Sequence, residues 1–415
     1  MEQAKIQNRK ESNPLNLWKE IEQAGERIRK VVLRTPVIYS EALSKLTGKE
    51  IFLKLENLQK TGSFKIRGAY YKLSRLKNSK RGRNVVAASA GNHAQGVAYA
   101  SSLLGIHSTI VMPEGAPLAK QMATRAYGGD VILSGQNTDE ALCRARRMEE
   151  AGKTFIHPFD DEEVIAGQGT IGLEILEDVP DVEGIIVPVG GGGLISGIAT
   201  IVKKKKPKVQ IIGVQSSHAP AAFHSLRKKR IVEVKVKPTL ADGIAVGRTG
   251  EITFHIIQQN VEHIAIVNEE EIASAILMLI ERKRLVAEGA GASPLAALLS
   301  KGIKIKPQKI VLVISGGNID VHLLDRIIEK GLTRTGRMAS FEVLLRDVPG
   351  SLTKLTGLVA HHQANILHIV HERAAINIPI GFSKVILILE TRGSEHIREI
   401  KKGLTGKGYA VQILS

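Results

Sequence analysis

The sequence has few of the residues that define several protein classes. Among 415 residues there is one cysteine, Cys143, which excludes a disulfide framework and a cysteine-rich zinc site. The N-terminal segment contains no apolar stretch of the kind found in a secretory signal. Aromatic residues make up only 4%, whereas aliphatic residues are abundant, as in globular proteins. These features predict a cytoplasmic chain, and its length predicts two or three domains.

One charge-free segment, residues 184–202, is about long enough to cross a membrane. It contains six glycines and a proline, which would break a spanning helix and leave backbone groups unpaired. We therefore expect a buried strand, a glycine loop and the start of a helix, and no membrane partner.

The formal net charge of +17 suggests a nucleic-acid ligand, but the pattern of the basic residues does not support one. The densest run, "KKKKPK" at Lys203–Lys208, fits the C-terminus of a helix that is stopped by Pro207. No aromatic residues interleave with the basic ones, and no helix-turn-helix, RNP or zinc-finger pattern is present. We expect no nucleic-acid partner.

From about residue 84 to residue 314, short apolar segments alternate with helical patterns. This βαβα order predicts an α/β fold with doubly wound, mostly parallel sheets covered by helices on both faces. After residue 331 the pattern changes to βαββαβ, the order of a split-βαβ sandwich. The sequence thus predicts a catalytic domain at 1–331, with a smaller subdomain at about 55–160. A linker at 332–337 and a C-terminal domain at 338–415 follow.

Lys65, in "SFKIRGAY", lies between a phenylalanine and an isoleucine. A buried ammonium without a partner costs several kcal/mol, so a lysine in apolar surroundings tends to lose its proton. The residue is either an ordinary surface lysine or an amine kept neutral for chemistry.

Three further loops follow predicted strands, where open α/β sheets bind ligands. The first, "SAGNH" at Ser89–His93, could hold a carboxylate at the start of a helix, and Asn92 could bond a ring hydroxyl. The second, "VGGGGLISG", lets the backbone wrap a phosphate but matches neither the P-loop nor the Rossmann pattern. The third, "ISGGN", offers the neutral hydroxyl of Ser315.

Together, Lys65 and the three loops fit one ligand, pyridoxal 5'-phosphate, which has a carbonyl, a ring and a phosphate. The chain resembles the fold-type II pyridoxal-phosphate enzymes, whose fold is that of the tryptophan synthase β subunit, and most closely the threonine dehydratases (threonine ammonia-lyases). The resemblance runs from about Trp18 to Gly331. Its motifs are "KTGSFKIRGAY", "ASAGNHAQGVA", "PVGGGGLISG", "ADGIAVG", "EGAGA" and "ISGGN".

The resemblance implies a role for each motif. Lys65 resembles the lysine that bonds the cofactor, Asn92 the partner of the ring hydroxyl, and Ser315 the partner of the pyridine nitrogen. The phosphate cradle is implied at Gly190, Gly191, Gly192, Gly193 and Leu194. The loop that receives the substrate carboxylate is implied at Ser89, Ala90, Gly91 and His93.

The implied reaction converts L-threonine to 2-oxobutanoate and ammonia, with some L-serine activity, and would serve isoleucine biosynthesis or threonine catabolism. Serine racemases of the same fold carry a serine at the position of Ala90, so racemisation should be poor here. They also hold a cation with acidic residues where this chain has Gln215, Ala219 and Ala221, so we expect no metal site.

Two further residues near these loops are candidates for a role in the site. For His93, a packed or capping histidine is favoured over a catalytic one, because it lies at a helix start. Glu288, in "AEGAGA", lies beside glycine turns and could orient the cofactor or the substrate.

The C-terminal domain resembles an ACT domain, a regulatory module that binds amino acids, through "RDVPGSL" and "ANILHI". The resemblance implies an effector, isoleucine or valine, held near Gly350 and Asn365, and a homo-oligomer, either a dimer or a tetramer. A domain that only dimerises is the alternative. For the whole chain, the alternatives are a catabolic serine/threonine dehydratase of broad specificity and a catalytically silent amino-acid sensor.

Overall fold

A computed structural model describes residues 16–77, 79, 84–300, 302–374, 376 and 378–414. Within them the chain divides into two compact units, and the division falls between Ile319 and Asp320.

The first unit is built of strands and helices in alternation. In chain order its elements are α1 (Leu17–Ile28), β1 (Val37–Tyr39), α2 (Glu41–Thr47), β2 (Glu50–Leu55), α3 (Lys65–Leu76), β3 (Asn84–Ala88), α4 (Asn92–Leu104), β4 (His107–Met112), α5 (Leu118–Ala126), β5 (Asp130–Leu133), α6 (Thr138–Glu150), β6 (Thr154–Phe155), α7 (Glu162–Asp178), β7 (Gly184–Pro188), α8 (Gly193–Lys205), β8 (Gln210–Ser216), α9 (Ala221–Lys228), α10 (Glu251–Asn260), β9 (His263–Val267), α11 (Glu269–Lys283), α12 (Gly289–Leu299) and β10 (Lys309–Ile314).

Two sheets organise this unit. The larger has six strands in the order β1-β2-β10-β7-β8-β9, all parallel except β1, which pairs antiparallel with β2. The smaller has four parallel strands in the order β5-β4-β3-β6. The predicted α/β fold with doubly wound parallel sheets is therefore confirmed, and the smaller sheet lies within residues 55–160.

The central strands of the larger sheet are buried throughout because helices cover both faces. Every residue of β7 is buried, and so are the last five residues of β10. Such strands read as continuous apolar segments instead of alternating ones, which is why the sequence pattern located them.

The charge-free segment at 184–202 forms strand β7, a glycine loop and most of helix α8, as predicted. Among the described residues, no helix combines the length and the hydrophobicity needed to cross a membrane.

The second unit begins with a helix that the sequence did not predict. In chain order its elements are α13 (Val321–Arg334), β11 (Met338–Arg346), α14 (Ser351–His361), β12 (Asn365–Glu372), β13 (Phe382–Glu390), α15 (Ser394–Gly406) and β14 (Ala410–Ile413). Helix α13 spans the predicted boundary at 331 and includes the start of the predicted linker at 332–337. Asp320 caps this helix by accepting bonds from the N–H groups of His322 and Leu323, so the division lies at its start.

The βαββαβ order predicted for the C-terminal domain is confirmed. Its four antiparallel strands are ordered β12-β13-β11-β14. Alternate residues of β11 and β13 are buried against helices α14 and α15, forming a core that includes Phe341, Leu387 and Leu404.

Candidate active site

Lys65 is the first residue of helix α3 and is partly buried. Its Nζ donates a hydrogen bond to the carbonyl oxygen of Pro158 at 2.9 Å and lies 5.2 Å from the centre of the Phe64 ring. Desolvation lowers the pKa of this amine to about 8, and the nearby carboxylate of Glu288 only partly opposes that shift. The lowered pKa makes this amine easier to deprotonate than an exposed lysine, which favours the interpretation of "SFKIRGAY" as carrying an amine kept for chemistry.

The loop before Lys65 is joined to the end of strand β10. The N–H of Phe64 donates to the carbonyl oxygen of Ser315 at 3.1 Å, and Ser63 forms an isolated bridge with Gly316. The "SFK" and "ISGGN" motifs, which are distant in sequence, therefore meet at one strand end.

Asn92, Glu288 and Asn318 form a hydrogen-bonded cluster. The Asn92 Nδ2 lies 2.8 and 3.0 Å from the two carboxylate oxygens of Glu288, and Asn92 Oδ1 accepts from Asn318 Nδ2 at 2.7 Å. Asn318 also donates to the carbonyl oxygen of Thr61. Because both ends of its amide are engaged, Asn92 has a fixed orientation.

Glu288 is 3% exposed, and burial is the main cause that raises the pKa of its carboxyl to about 7. The charge of Asp242 adds to this increase, whereas the hydrogen bond from Asn92 and the charges of Lys120 and Lys65 oppose it. Lys120 of α5 and Asp242 form an ion pair of 2.7 Å beside this cluster. The pair connects the segment that contains the smaller sheet to a loop between α9 and α10.

The "SAGNH" loop connects strand β3 to helix α4, as the sequence predicted. The side chain of Ser89 accepts a hydrogen bond from the N–H of Gly91 at 3.2 Å, and Ala90 is partly buried. Helix α4 begins at Asn92, inside this motif, so the unpaired N–H groups of its first turn belong to the loop region.

His93 is 3% exposed and its Nε2 is hydrogen-bonded to the carbonyl oxygen of Ile156 at 2.9 Å. Desolvation, followed by the charge of Lys65, lowers the pKa of its imidazole to about 3. A neutral ring bonded to the backbone fits the favoured interpretation of His93 as a packed histidine.

The glycine loop between β7 and α8 has the properties of an anion cradle. Gly192 has a φ of 102°, a left-handed conformation that favours glycine, and serves as the N-cap of α8. Among the described residues, the N–H groups of Gly190, Gly191 and Gly192 donate to no acceptor. Together with the first N–H groups of α8, they offer unpaired donors to a phosphate.

The residues present fit pyridoxal phosphate. A Cβ at Gly191 would lie 2.4 Å from the Phe159 ring, so side chains beyond glycine are excluded from this part of the cradle. Ser315 is 2% exposed and directly follows strand β10, so its neutral hydroxyl would meet a ring nitrogen without adding a charge. The buried hydroxyls of Ser63 and Thr249 lack partners within the described ranges. A bound polar group would offset the cost of such unpaired atoms.

Several residues of this site were not identified from the sequence. They include Pro158, Phe159, Asn318, Lys120 and Asp242. Asn318 lay in the "ISGGN" motif and Asp242 in the "ADGIAVG" motif, so both had a recognisable signal. Pro158 contributes a backbone oxygen, which no residue pattern reveals.

We expect Gly191→Ala to weaken cofactor binding by at least about tenfold, because the added methyl group collides with Phe159 and displaces the cradle. Equilibrium titration of the apoprotein with pyridoxal phosphate measures this. The double change Gly191→Ala with Phe159→Ala provides space and should recover part of the affinity. Equal loss in both variants would contradict the steric explanation.

The comparisons with known proteins agree with this site. The family described as pyridoxal-phosphate dependent enzyme matches residues 28–316. The L-threonine ammonia-lyase of Thermotoga maritima is 54% identical over 396 residues, which cover 95% of this chain and 98% of that protein. That of Geobacter sulfurreducens is 50% identical over 395 residues, with the same coverage of 95% and 98%.

Among solved structures, the threonine deaminase isoform 2 of Solanum lycopersicum, in its processed form, is similar, with a TM-score of 0.73 and 38% identity. The match covers 77% of this chain and 94% of that one. Both the sequence and the fold therefore lead to the same conclusion: the chain belongs to the family of pyridoxal-phosphate dependent enzymes.

Proposed function

We propose that this protein is a threonine ammonia-lyase, which converts L-threonine to 2-oxobutanoate and ammonia, with some activity toward L-serine. The similarity to the Thermotoga maritima enzyme over nearly the whole of both chains supports this proposal. The observation that carries it is the amine of Lys65, whose pKa is lowered by desolvation. The glycine loop after strand β7 offers unpaired N–H donors for a phosphate in the same unit.

When bound, pyridoxal phosphate supplies the electron sink that makes the α-proton of an amino acid acidic. Gly190 to Leu194 would hold its phosphate, Asn92 its ring hydroxyl and Ser315 its ring nitrogen. The hydroxyl of Ser315 is neutral, so it holds the ring without adding a charge beside it.

Lys65 would anchor the cofactor through its amine and, once released, would take the proton from the substrate α-carbon. Its lowered pKa keeps part of the amine neutral and able to accept that proton. The Glu288 carboxylate holds the Asn92 amide in place, so we assign Glu288 an orienting role. The N–H of Ala90 and the first N–H groups of α4 would receive the substrate carboxylate, since the N–H groups of Ser89 and Gly91 already donate to Val111 O and to Ser89 Oγ.

The test of this function is an assay of 2-oxobutanoate and ammonia on the pyridoxal-phosphate-loaded protein with L-threonine. Equimolar formation of both products would support the proposal. A protein that takes up the cofactor but forms neither product from threonine would contradict it. Measuring D-allo-threonine formation from L-threonine, and D-serine formation from L-serine in a parallel assay, tests the expectation that Ala90 supports little racemisation.

The rate of covalent cofactor uptake by the apoprotein should rise with pH through about 8 and then level off. The reason is that the neutral amine of Lys65 is the nucleophile, and its fraction increases as pH passes its pKa of about 8. The charge of Glu288 raises that pKa, so Glu288→Gln should move the midpoint to lower pH. Borohydride trapping at a series of pH values measures the rate. An unchanged or higher midpoint in Glu288→Gln would contradict the effect of the Glu288 charge on the pKa of Lys65.

For the C-terminal unit we propose an ACT-like regulatory role in a cytoplasmic homo-oligomer, a dimer or a tetramer, with isoleucine or valine as effector. Gly350 has a φ of 84° and immediately precedes the first turn of α14, where a helix leaves N–H groups without acceptors inside the helix. Asn365 begins β12, and its Nδ2 is 3.3 Å from Glu390 Oε2. Titration calorimetry with each amino acid tests the effector, and absence of binding heat with both would contradict the proposal.

Strand β12 lies at the edge of its sheet and exposes Leu367, Ile369 and Val370, which are 43%, 42% and 46% accessible. An exposed apolar edge strand favours association, so these residues support an oligomer. Light scattering of the full chain measures the number of subunits, and a monomer at micromolar concentration would contradict the proposal.

A further inference from the structure

Asp160 lies in the loop between β6 and α7, and its carboxylate caps a helix that is distant in sequence. Asp160 Oδ2 accepts from the N–H of Glu251 at 3.0 Å, and Oδ1 accepts from those of Ile252 and Thr253 at 3.0 and 3.2 Å. These are the first three residues of α10. The first N–H groups of a helix lack partners within the helix, and a negative charge there is favoured by the helix dipole.

The N-cap residue of α10 leaves room for this arrangement. Gly250 has no side chain to cap the helix, and a Cβ at this position would lie 2.2 Å from Asp160 Oδ1. Any larger residue at position 250 would displace the carboxylate. Helix α10 is therefore built to be capped by Asp160.

Helix α10 in turn holds the phosphate cradle through Thr253. Thr253 is fully buried, and its hydroxyl donates to the carbonyl oxygen of Gly191 at 2.7 Å. The N–H of Gly250 donates to the same oxygen at 3.3 Å. A trans peptide is planar with its C=O and N–H opposed, so a Gly191 carbonyl directed at α10 turns the N–H of Gly192 away from α10. That N–H is one of the unpaired donors of the cradle.

The segment that carries Asp160 also contacts Lys65. In this segment, His157–Asp160, the Pro158 carbonyl accepts from Lys65 Nζ at 2.9 Å, and the Phe159 ring covers Gly191. The turn is fixed internally, because His157 Nδ1 accepts from the N–H groups of Phe159 and Asp160. One short segment thus contacts both ends of the cofactor site, the amine and the cradle.

We propose that Asp160 and Thr253 are positioning residues for the cofactor phosphate. Asp160 fixes the N-terminus of α10, Thr253 transmits that position to the Gly191 peptide, and the Gly192 N–H is thereby directed at the phosphate. Neither side chain needs to touch the cofactor. This inference rests on the proposed function only in so far as both require pyridoxal phosphate.

The test is equilibrium titration of the apoprotein with pyridoxal phosphate, followed by absorbance. Asp160→Asn and Thr253→Val should each weaken binding about tenfold, the equivalent of one lost hydrogen bond. Because the two residues act in series, the double variant should lose less than the product of the two single effects. Thr253→Ser keeps the hydroxyl and should bind within about twofold of the wild type.

Asp161→Asn is the matched control. Asp161 is the adjacent residue and caps α7 by accepting from the N–H groups of Glu163 and Val164. Asp161→Asn also replaces a helix-capping carboxylate by an amide, but the affected helix is α7 instead of α10. We expect unchanged cofactor affinity in this variant. Urea unfolding of each apoprotein shows whether the variants are folded, and Asp160→Asn, which preserves shape, keeps the test decisive should Thr253→Val not fold.

Wild-type affinity in Asp160→Asn, or a loss in Asp161→Asn equal to that in Asp160→Asn, would overturn the proposal. Turnover offers a second readout: excess pyridoxal phosphate should restore kcat in both variants, because the residues act on cofactor binding. A kcat that stays low at saturation would also contradict a positioning role. If the wild type binds the cofactor but is inert toward threonine, the proposed function fails while the binding data still decide this inference.

Discussion

Replacing Lys65 with alanine is expected to lower 2-oxobutanoate formation by at least about a thousandfold, because the variant loses both the covalent anchor and the base at the α-carbon. The protein should nevertheless fold, since Pro158 O is the sole hydrogen-bond acceptor of Lys65 Nζ among the described residues. It should also still bind pyridoxal phosphate, because the cradle is made of backbone groups. Assays of keto acid and of bound cofactor on the same preparation measure both effects.

Lys72 provides a matched control for this experiment. It lies on the same helix but pairs with Asp161 and Glu163. Lys72→Ala should therefore retain most of the activity. Added methylamine should partly restore turnover in Lys65→Ala by supplying a neutral amine at the vacated position. Activity of Lys65→Ala within about tenfold of the wild type would show that another group removes the proton.

Replacing Glu56 with glutamine is expected to destabilise the first unit by about 3 kcal/mol, because it removes the fully buried one of the two carboxylates that neutralise Arg67 and leaves only Glu174. Glu56 is fully buried and Arg67 is 1% exposed. Two hydrogen bonds of 2.8 Å join the guanidinium to the two carboxylate oxygens. Arg67 also bonds Glu174, which in turn pairs with the buried Lys54.

This cluster fixes the helix that carries Lys65. Arg67 belongs to α3, Glu56 follows β2, and Glu174 belongs to α7, so three elements are held together at one point. Burial favours the neutral acid, but the charges of Arg67 and Lys54 outweigh it and hold the pKa of Glu56 below its usual value. A carboxyl whose pKa is lower in the folded than in the unfolded protein stabilises the fold at every pH above its unfolded-state pKa. This contribution is lost as the pH falls through the folded-state pKa of Glu56.

Urea unfolding followed by fluorescence measures the effect of Glu56→Gln. Trp18, the single tryptophan of the chain, packs against the core of the first unit and reports on that unit. The double variant Glu56→Leu with Arg67→Met removes both charges and should be more stable than Glu56→Gln. Arg34→Ala breaks an exposed pair with Glu177 and should cost no more than about 1 kcal/mol. Comparable losses of unfolding free energy in Glu56→Gln and Arg34→Ala would contradict the expectation that the buried pair contributes more than the exposed one.

Much of the fold could be predicted from local pattern. Continuous apolar segments located β7, β8 and β10, because strands buried on both faces have no polar alternation. The glycine run between β7 and α8 predicted a backbone cradle, since glycine is required where the backbone must be bare. The order βαββαβ was also predictable, because each element carries its own periodicity.

Other features were missed because they depend on contacts between distant residues. The predicted domain boundary at 331 lies inside α13, since a surface helix joining two units has no distinctive composition. Glu288 was recognised as a candidate, but its contact with Asn92 spans 196 residues. Pro158 acts through a carbonyl oxygen, which any residue type could supply.

The sequence by itself determined many of the elements, the chemical groups and the family, because these follow from periodicity, residue type and motifs of adjacent residues. Only the tertiary structure decided which groups meet. The order of the larger sheet places the ends of β7 and β10 side by side, whereas β3 belongs to the smaller sheet. Contacts between residues of the two sheets' loops place Asn92, after β3, beside Glu288 and Asn318. The pKa values of Lys65 and Glu288 likewise arise from burial and from charges on other elements, so no local pattern contains them.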